Sequence, residues 1–192
     1  NIKYLNIYIL DGVEVSIPIE KILDINGDVL LAYKMNDREL KRDHGYPLRL
    51  IVPGYVGIKN IKWVKSIKLS EKPLSSTWQS GISYKAFPNY IKSKEDLDKN
   101  NINIEDYDSI NSSPVQSIIC DVIDDTIENK ITIKGIAYSG NGNGILNVDV
   151  SIDNGSSWNN AILKEGSEQN PKKAWAWTFW EYSVNKDDIY DN

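Results

Sequence analysis

Alternation of apolar and polar residues with a period of two is the feature that most constrains how this chain can fold. It recurs in three segments of the C-terminal half, ITIKGIAYS, ILNVDVSID and WAWTFWEYSV. Successive side chains of a β-strand point to opposite faces of a sheet, so the alternation predicts half-buried strands. Between the segments stand NGNG and DNGSS, whose asparagine and glycine residues readily adopt the positive φ angles of tight turns. Long helical patterns are rare, and we therefore expect a mostly β protein.

The chain also divides into two parts. Residues 93–113 are acidic and rich in asparagine, which predicts a linker or surface loop because such a segment buries little apolar surface. We place the boundary near residue 110, with one domain over residues 1–110 and another over residues 111–192. Short alternating strands predict that the second domain is an immunoglobulin-like sandwich, without the cysteine pair of antibody domains.

Three elements are predicted in the first domain. Ser16 is a suitable N-cap for a short helix over residues 16–23, with a proline near the first turn. Asn36 and Asp37 stand between two strand-like segments and predict a hairpin. The next predicted strand has an apolar face made of Ile61, Trp63, Ile67 and Leu69.

The overall composition excludes several classes of function. A formal net charge of −5 argues against nucleic acid or an anionic membrane surface as a general partner. No segment approaches the ~18 consecutive apolar residues of a membrane-spanning helix. The single cysteine, Cys120, excludes an internal disulfide and a cysteine-built metal cluster, and its position in SIICDVID predicts a buried strand thiol.

Positive charge is concentrated around the only histidine, His44. Residues 34–72 contain ten lysine and arginine residues against four acidic ones, whereas residues 73–130 contain five against ten. A solvated face is the ordinary explanation of such a run. An anion-binding cleft is the alternative, because clustered positive groups attract phosphates and small oxyanions. A single histidine is more often structural than catalytic, and a metal site would need further ligands.

Two blocks of the sequence resemble the sulfite oxidase and assimilatory nitrate reductase family. The molybdopterin-binding part of that family is similar to LLAYKMNDRELKRDHGYPLRLIVPGYVGIKNIKWVKSIKL. Its dimerisation domain is similar to SPVQSIICDV, ITIKGIAYSGNGNGILNVDVSIDNGSSWNNAIL and KKAWAWTFWE. The resemblance implies a mostly β (α+β) architecture, with a partial sulfite-oxidase-type molybdopterin-binding domain followed by an incomplete immunoglobulin-like β-sandwich dimerisation domain.

The resemblance also implies roles for individual residues. His44, Arg49 and the loop Asn60-Ile61-Lys62 would contact molybdopterin, whose phosphate suits cationic donors and whose pterin suits directional ones. Tyr84, in TWQSGISYKAF, resembles the sulfite oxidase tyrosine that meets the reacting oxyanion. Nitrate reductases usually have asparagine at that place, so this residue favours sulfite oxidase. Trp78 would form a wall of the same pocket.

The sequence departs from the family in other places. The molybdenum ligand of the family is a cysteine upstream of the motif that corresponds to Asp43-His44-Gly45, whereas Cys120 lies downstream of it. We therefore assign no metal ligand and expect the chain to be a fragment. The segment that usually holds an acidic pterin contact is shortened, and Asp11 is the candidate to replace it. Lys85 is a candidate for additional attraction of the anion.

The activity implied by the resemblance is the oxidation of sulfite to sulfate. Molybdopterin is the implied cofactor, with haem b5 on a further domain, and the electrons pass to a haem, cytochrome c or oxygen. The alternatives are a nitrate-reductase-type molybdoenzyme and a non-catalytic dimerisation module with a degenerate cofactor pocket. The family also implies a homodimer, in the mitochondrial intermembrane space or, for the plant-type proteins, in peroxisomes.

Overall fold

The computed structural model describes residues 1–190 and divides the chain into two compact units. The first unit spans Asn1–Ser112, and the second begins at Ser113. Over the described residues more of the chain is in strands than in helices, so the prediction of a mostly β protein is confirmed, although the first unit has strands and short helices in similar amounts. Within the described residues no helix combines the length and the apolar character that crossing a membrane requires.

A three-stranded antiparallel sheet forms the centre of the first unit. Its middle strand is β1 (Tyr4–Ile9), which pairs with β2 (Glu14–Pro18) and with β7 (Val64–Ser70). Two strand pairs accompany it, β3 (Leu30–Ala32) with β6 (Arg49–Ile51) and β4 (Lys34–Met35) with β5 (Arg38–Glu39). The helices are α1 (Ile19–Leu23), α2 (Thr77–Ser80) and α3 (Lys94–Lys99), with 3-10 turns at Arg42–His44, Gly57–Lys59, Ile82–Tyr84 and Ile104–Asp106.

The apolar core of this unit is built on one face of the sheet. Ile7 of β1 pairs with Val15 of β2, and both side chains are completely buried together with Ile17. Leu50 and Val52 belong to the same core cluster. Burial of branched apolar side chains is the main favourable term in folding, at about 1.5–3 kcal/mol for each fully buried chain. The core therefore fixes the strands from which the site residues project.

The helix predicted over residues 16–23 begins only at Ile19, so the prediction of Ser16 as its N-cap is wrong. Ser16 lies in β2, where pairing with Asn6 of β1 keeps its main chain extended. Its hydroxyl donates to Asn6 Oδ1 (2.7 Å) and accepts from Leu74 N (2.8 Å). The hydroxyl therefore makes its hydrogen bonds inside the unit and does not cap α1. The residue at the N-cap position of α1 is Pro18.

The strand predicted beyond Ile61 begins only at Val64. Ile61 is buried in the core, and Trp63 has a φ of +56°, which takes its main chain out of the extended conformation. Ile67 and Leu69 pair with Ile7 and Leu5 and so share the face of the core, but they are 37% and 58% exposed. The predicted alternation is therefore right only in the second half of the segment.

The hairpin predicted at Asn36 and Asp37 is confirmed. Their φ angles of 52° and 61° are the left-handed values that a two-residue turn between antiparallel strands requires. The paired strands, β4 and β5, have only two residues each. The hairpin is thus shorter than predicted, because Leu30–Ala32 pairs with β6 and not with the strand across the turn.

The acidic segment over residues 93–113, predicted as a linker or surface loop, contains the short helix α3 and the 3-10 turn at Ile104–Asp106. Ser93 and Asp96 form a capping box at the start of α3, in which the Ser93 hydroxyl accepts from Asp96 N (3.2 Å). The Asp96 carboxylate in turn accepts from Ser93 N (3.0 Å). Leu97 is buried, with 4% of its surface exposed. A local cap and one buried leucine stabilise α3.

The second unit contains, in chain order, β8 (Gln116–Asp125), β9 (Lys130–Tyr138), β10 (Asp149–Val150), β11 (Asn159–Asn160), β12 (Ile162–Leu163), β13 (Thr178–Asn185) and the helix α4 (Asp187–Tyr190). Four strands form an antiparallel sheet in the order β12-β13-β9-β8, and β10 pairs with β11. Trp180, 3% exposed, packs with Val148 and Val150. Gly135 makes room for it, because a Cβ there would lie 2.2 Å from the Trp180 ring.

Cys120 is exposed, so the prediction of a buried thiol is wrong. The strand itself is confirmed as β8. β8 is the edge strand of the sheet, and its register shifts between Ile119 and Asp121, at the cysteine. Its apolar residues are also largely open, with Ile119 58% and Val122 57% exposed. An apolar sequence predicts burial only where another layer covers it.

One lysine belongs to the interior of the first unit. Lys59 is fully buried, and its ammonium donates to Ser16 O (3.3 Å) and to Gln79 Oε1. Ser16 N donates to the same glutamine oxygen (3.0 Å). Burial lowers the pKa of Lys59 from its ordinary value of 10.5 to about 8, because the charged form loses its hydration. These three residues connect β2, the 3-10 turn at Gly57–Lys59, and α2.

We expect Lys59 to make the stability of the chain rise between about pH 8 and pH 10.5. In that interval the unfolded chain still binds a proton that the folded chain has released, so the free energy of unfolding increases with pH. At about 1.4 kcal/mol per pKa unit, the rise amounts to roughly 3 kcal/mol.

Urea unfolding at several pH values measures this contribution. Lys59→Met should remove the contribution of Lys59 to the rise, whereas Lys65→Met, at an exposed position on β7, should retain it. Parallel curves for the unchanged chain and Lys59→Met across this interval would contradict the titration of a buried lysine.

Candidate cofactor and substrate site

The only histidine lies in a tight turn that two other basic residues approach. Arg42–His44 form a 3-10 turn that ends at Gly45, which has a φ of +108°. A Cβ at Gly45 would lie 3.0 Å from Lys62 Cβ and 3.1 Å from Arg49 Cβ. Glycine is therefore required here by its main-chain conformation and by the closeness of both side chains. We call His44, Arg49 and Lys62 the basic cluster.

Arg49 has a buried donor without a partner. It begins β6 and is half-buried, and its Nη1 donates to His44 O at 3.0 Å. Its Nε is buried and makes no hydrogen bond among the described residues. A buried unpaired N–H is costly, and an anionic oxygen would satisfy it with a charge-assisted bond. The guanidinium thus fits the phosphate that molybdopterin carries.

Lys62 and Trp63 are tied to the turn that carries His44. Lys62 Nζ donates to Asp43 O (2.9 Å), and Trp63 Nε1 donates to Arg42 O (2.9 Å). The Lys62 ammonium also lies 4.9 Å from the centroid of the Trp63 ring, a cation–π contact. An ammonium has three N–H donors, so one carbonyl partner leaves donors available for an anion.

The side chains of Asn60 and Ile61 make hydrogen bonds and apolar contacts within the first unit. Asn60 Oδ1 accepts from Val52 N (2.8 Å), while its Nδ2 donates to Tyr55 O (3.0 Å) and Val56 O (3.3 Å). Ile61 is 4% exposed and belongs to the core. Any contact that these two residues make with a ligand therefore involves their main chain, whereas Lys62 contributes its side chain.

Two clefts adjoin the turn. One, of about 350 Å³, is lined by Met35, Asn36, Arg38, Glu39, Lys41 and His44. The other, of about 520 Å³, is lined by Leu10, Asp11, Arg42, Tyr46, Pro47 and Trp63. The lining of the first cleft includes the basic side chains of Arg38, Lys41 and His44 and the acidic side chain of Glu39, all of them exposed. The second cleft brings Asp11, the candidate acidic contact, close to the same turn.

Trp78 and Tyr84, the residues predicted to meet the substrate, form an aromatic pair in the same unit. Their ring centroids are 6.1 Å apart, with the ring planes inclined by 54°. Trp78 lies in α2 and is 41% exposed, and Tyr84 ends the 3-10 turn that follows and is half-buried. We call residues 77–85 the aromatic segment. Both rings retain exposed surface with which a ligand can make contact.

The structure does not bring Lys85 or Tyr84 to the basic cluster. The Lys85 ammonium donates to Tyr107 O, so it is bound within the unit. Among residues 1–190, no hydrogen bond, ion pair or ring contact joins Tyr84 to the cluster. The connection is indirect, through Lys59 next to Asn60 and Gln79 next to Trp78.

Sequence reasoning missed Lys59 and Gln79. Lys59 stands in a run of lysines, and nothing in its neighbours distinguishes the one buried lysine from exposed ones such as Lys65 and Lys68. In the part of the chain that the structure describes, no group of three or more His, Cys, Asp or Glu residues is placed to hold a metal ion.

Two family models match most of the chain. The oxidoreductase molybdopterin binding domain matches residues 3–78, and the Mo-co oxidoreductase dimerisation domain matches residues 107–192. The basic cluster lies inside the first match. Tyr84 lies between the two matches, so its role depends on the local resemblance of TWQSGISYKAF alone.

Proteins of known identity agree with these matches. Mitochondrial sulfite oxidase of Mus musculus is 41% identical over 168 residues, which are 86% of this chain and 29% of the mouse protein. Nitrate reductase (NADH) of Cichorium intybus is 30% identical over 185 residues, 91% of this chain and 20% of that protein. The crystal structure of the sulfane dehydrogenase SoxCD from Paracoccus pantotrophus has a TM-score of 0.70 and 27% identity, over 96% of this chain and 43% of that one.

The similarity thus extends over both units, although the chain spans less than a third of the length of the mouse relative. The identity to a sulfite oxidase exceeds that to the nitrate reductase, at 41% against 30%. The matched domain types, the fold and the sequence identity all lead to one conclusion. The chain belongs to the sulfite oxidase family of molybdopterin-dependent oxidoreductases.

Proposed function

We propose that this chain is part of a molybdenum-cofactor oxidoreductase that oxidises sulfite to sulfate. The observation that carries the proposal is the basic cluster around Gly45, inside a region that matches a molybdopterin-binding domain. The 41% identity to mouse sulfite oxidase favours sulfite as the substrate. Because the chain spans 29% of that relative, the proposed activity is that of the whole protein.

In this proposal the basic cluster binds the cofactor. Arg49 Nε donates to an oxygen of the cofactor phosphate, and the Lys62 ammonium supplies a second positive contact. The His44 imidazole meets the pterin as a donor or acceptor, while Asn60 and Ile61 contribute main-chain groups. When bound, the cofactor supplies a molybdenum centre that accepts two electrons.

The aromatic segment orients the substrate. Sulfite gains one oxygen atom, ultimately from water, and releases two electrons and two protons as it becomes sulfate. The Tyr84 hydroxyl donates a hydrogen bond to a sulfite oxygen, which holds the anion and stabilises charge as it develops. Trp78 supports the Tyr84 ring and keeps water from that side of the anion. The electrons pass onward to a haem, cytochrome c or oxygen.

Two other functions each have an observation in their favour. The 30% identity to a nitrate reductase supports nitrate reduction, although Tyr84 stands where nitrate reductases usually have asparagine. The single cysteine, Cys120, belongs to the second unit and not to the unit that contains the basic cluster, which supports a non-catalytic dimerisation module with a degenerate pocket.

The full-length protein separates these functions. It is assayed for sulfite-dependent reduction of cytochrome c, sulfite-dependent oxygen uptake and nitrate reduction by a reduced dye. Sulfite oxidation supports the proposal, and nitrate reduction alone supports the second function. A folded protein that binds no molybdopterin and turns over neither anion supports the third.

We also propose a homodimer formed through a dimerisation domain over residues 111–192, following a cofactor domain over residues 1–110. The match to the Mo-co oxidoreductase dimerisation domain supports it. By analogy with the mouse relative, whose name calls it mitochondrial, we propose a mitochondrial location in the intermembrane space, with peroxisomes as the alternative. Cell fractionation of the full-length protein distinguishes the two compartments.

Removing the guanidinium of Arg49 should weaken cofactor binding. In the full-length protein, we expect the molybdopterin content of Arg49→Met after dialysis to be about one tenth or less of that of the unchanged protein. The reason is that the phosphate loses a charge-assisted donor. Pterin content per chain is measured by fluorescence after oxidation. Lys65→Met, an exposed cation of the same segment, is the control and should retain normal content. Equal content in both variants would remove Arg49 from the cofactor site.

Removing the Tyr84 hydroxyl should affect turnover and leave cofactor content unchanged. Tyr84→Phe keeps the ring against Trp78 but loses the donor, so we expect kcat/KM for sulfite to fall by about 10- to 100-fold. Tyr90→Phe, at a tyrosine that is 60% exposed, is the matched control. Unchanged kinetics in Tyr84→Phe would show that the hydroxyl does not meet the substrate.

The full-length protein should sediment as a dimer at micromolar concentration. The expectation follows from the domain match over residues 107–192 and from the open apolar residues of β8. Introducing charge at Val122, which is 57% exposed, tests whether β8 takes part, with Thr126→Asp on the neighbouring turn as the control. A monomeric mass for the unchanged protein at this concentration would contradict the dimer.

A further inference from the structure

Lys59 and Gln79 form a buried link between two segments that the proposed function uses. Lys59 directly precedes Asn60–Lys62, and Gln79 directly follows Trp78 in the aromatic segment. The Lys59 ammonium donates to Gln79 Oε1, which also accepts from Ser16 N at 3.0 Å. Lys59 is fully buried and Gln79 is 5% exposed, so the link is shielded from water.

A buried lysine at this position lowers the stability of the fold unless its ammonium makes compensating hydrogen bonds. Taking an ammonium out of water carries a large desolvation cost, which neutral acceptors repay only in part. The partners of Lys59 are both neutral, a main-chain carbonyl and a side-chain amide. A methionine would fill similar space without the charge. The ammonium contributes what methionine cannot, which is simultaneous hydrogen bonding to β2 and to α2.

The aromatic segment depends on such anchors for its position. α2 has only four residues, far fewer than the ~12–15 that make an isolated helix marginally stable. Gln79 is its one buried residue. The main-chain oxygen of Gln79 accepts from Ser109 Oγ, and Tyr84 O accepts from Ile110 N (2.8 Å). The segment is therefore held at several points, and Gln79 is the point nearest Asn60–Lys62 along the hydrogen-bond network.

We propose that Lys59 is a positioning residue that, through Gln79, fixes the aromatic segment relative to the loop Asn60–Lys62. Its ammonium thereby sets where Tyr84 stands with respect to the bound cofactor. The catalytic meaning of this link rests on the proposed function, whereas the physical link between the two segments does not.

Four forms of the full-length protein test the link. Lys59→Met removes the ammonium and keeps the length of the side chain. The double variant Lys59→Met/Gln79→Met removes both polar groups, so it leaves no unpaired partner if the single variant folds poorly. Ile9→Ala is the control, because it opens a cavity in the same core at a residue that has no contact with Ser16, Lys59 or Gln79 among the hydrogen bonds of the described residues. The unchanged protein is the fourth.

Amide hydrogen exchange reports on the link without requiring turnover. In Lys59→Met we expect exchange across residues 77–85 to accelerate by about tenfold or more relative to β9, which lies in the other unit. In Ile9→Ala any acceleration should follow the overall loss of stability and should not be specific to residues 77–85. The double variant should resemble Lys59→Met, because two changes to one link are not additive.

Kinetics separate positioning from simple stabilisation. At equal molybdopterin content per chain, we expect Lys59→Met to lower kcat for sulfite by about 5- to 20-fold, with KM changed less than about twofold. Ile9→Ala should keep both constants. A role limited to stability would lower the amount of folded protein and would leave kcat per bound cofactor unchanged.

The outcomes distinguish this inference from the proposed function. Unchanged exchange at residues 77–85 in both Lys59 variants overturns the link, even if the protein oxidises sulfite. Segment-specific acceleration in a protein that does not oxidise sulfite supports the physical link and overturns only the function. Segment-specific acceleration with unchanged kcat per bound cofactor overturns the positioning role.

Discussion

The first unit depends on a buried ammonium that holds together parts of the chain far apart in sequence. Lys59 lies 43 residues from Ser16 and 20 residues from Gln79, and it binds both in the interior. The lowered pKa of Lys59 shows that the fold bears a cost for keeping it there. Burial of apolar side chains such as Ile7 and Ile17 stabilises the unit and offsets the desolvation of the ammonium. In return, a single turn and a four-residue helix acquire defined positions that neither would keep alone.

The candidate site follows a related principle, in which positive groups are held by main-chain carbonyls and not by carboxylates. Arg49 donates to His44 O, and Lys62 donates to Asp43 O. A carbonyl orients a cation without neutralising it, so the positive charge remains available to an anion. Gly45 makes this arrangement possible, since a Cβ there would meet both side chains. The turn thus concentrates charge where a phosphate can be bound.

The sequence predicted correctly those strands and turns that depend on neighbouring residues only. The period of two identified β9 and β13, and Asn36-Asp37 identified a turn whose φ angles are both positive. Prediction failed where a distant residue decided the outcome. Ser16 has the chemistry of an N-cap, but pairing with Asn6 made it part of a strand. Cys120 lies in a largely apolar strand, yet Cys120, Ile119 and Val122 are exposed.

The sequence by itself determined the strand-rich class, the tight turns and the identity of the residues in the basic cluster. These depend on side-chain alternation, on the φ preferences of glycine and asparagine, and on a motif read residue by residue. Only the folded structure shows that the buried Arg49 Nε has no hydrogen-bond partner among the described residues and that Lys59 is buried against Gln79. Burial and hydrogen-bond partners across 20 to 60 residues depend on how the whole unit packs, and no local pattern encodes them.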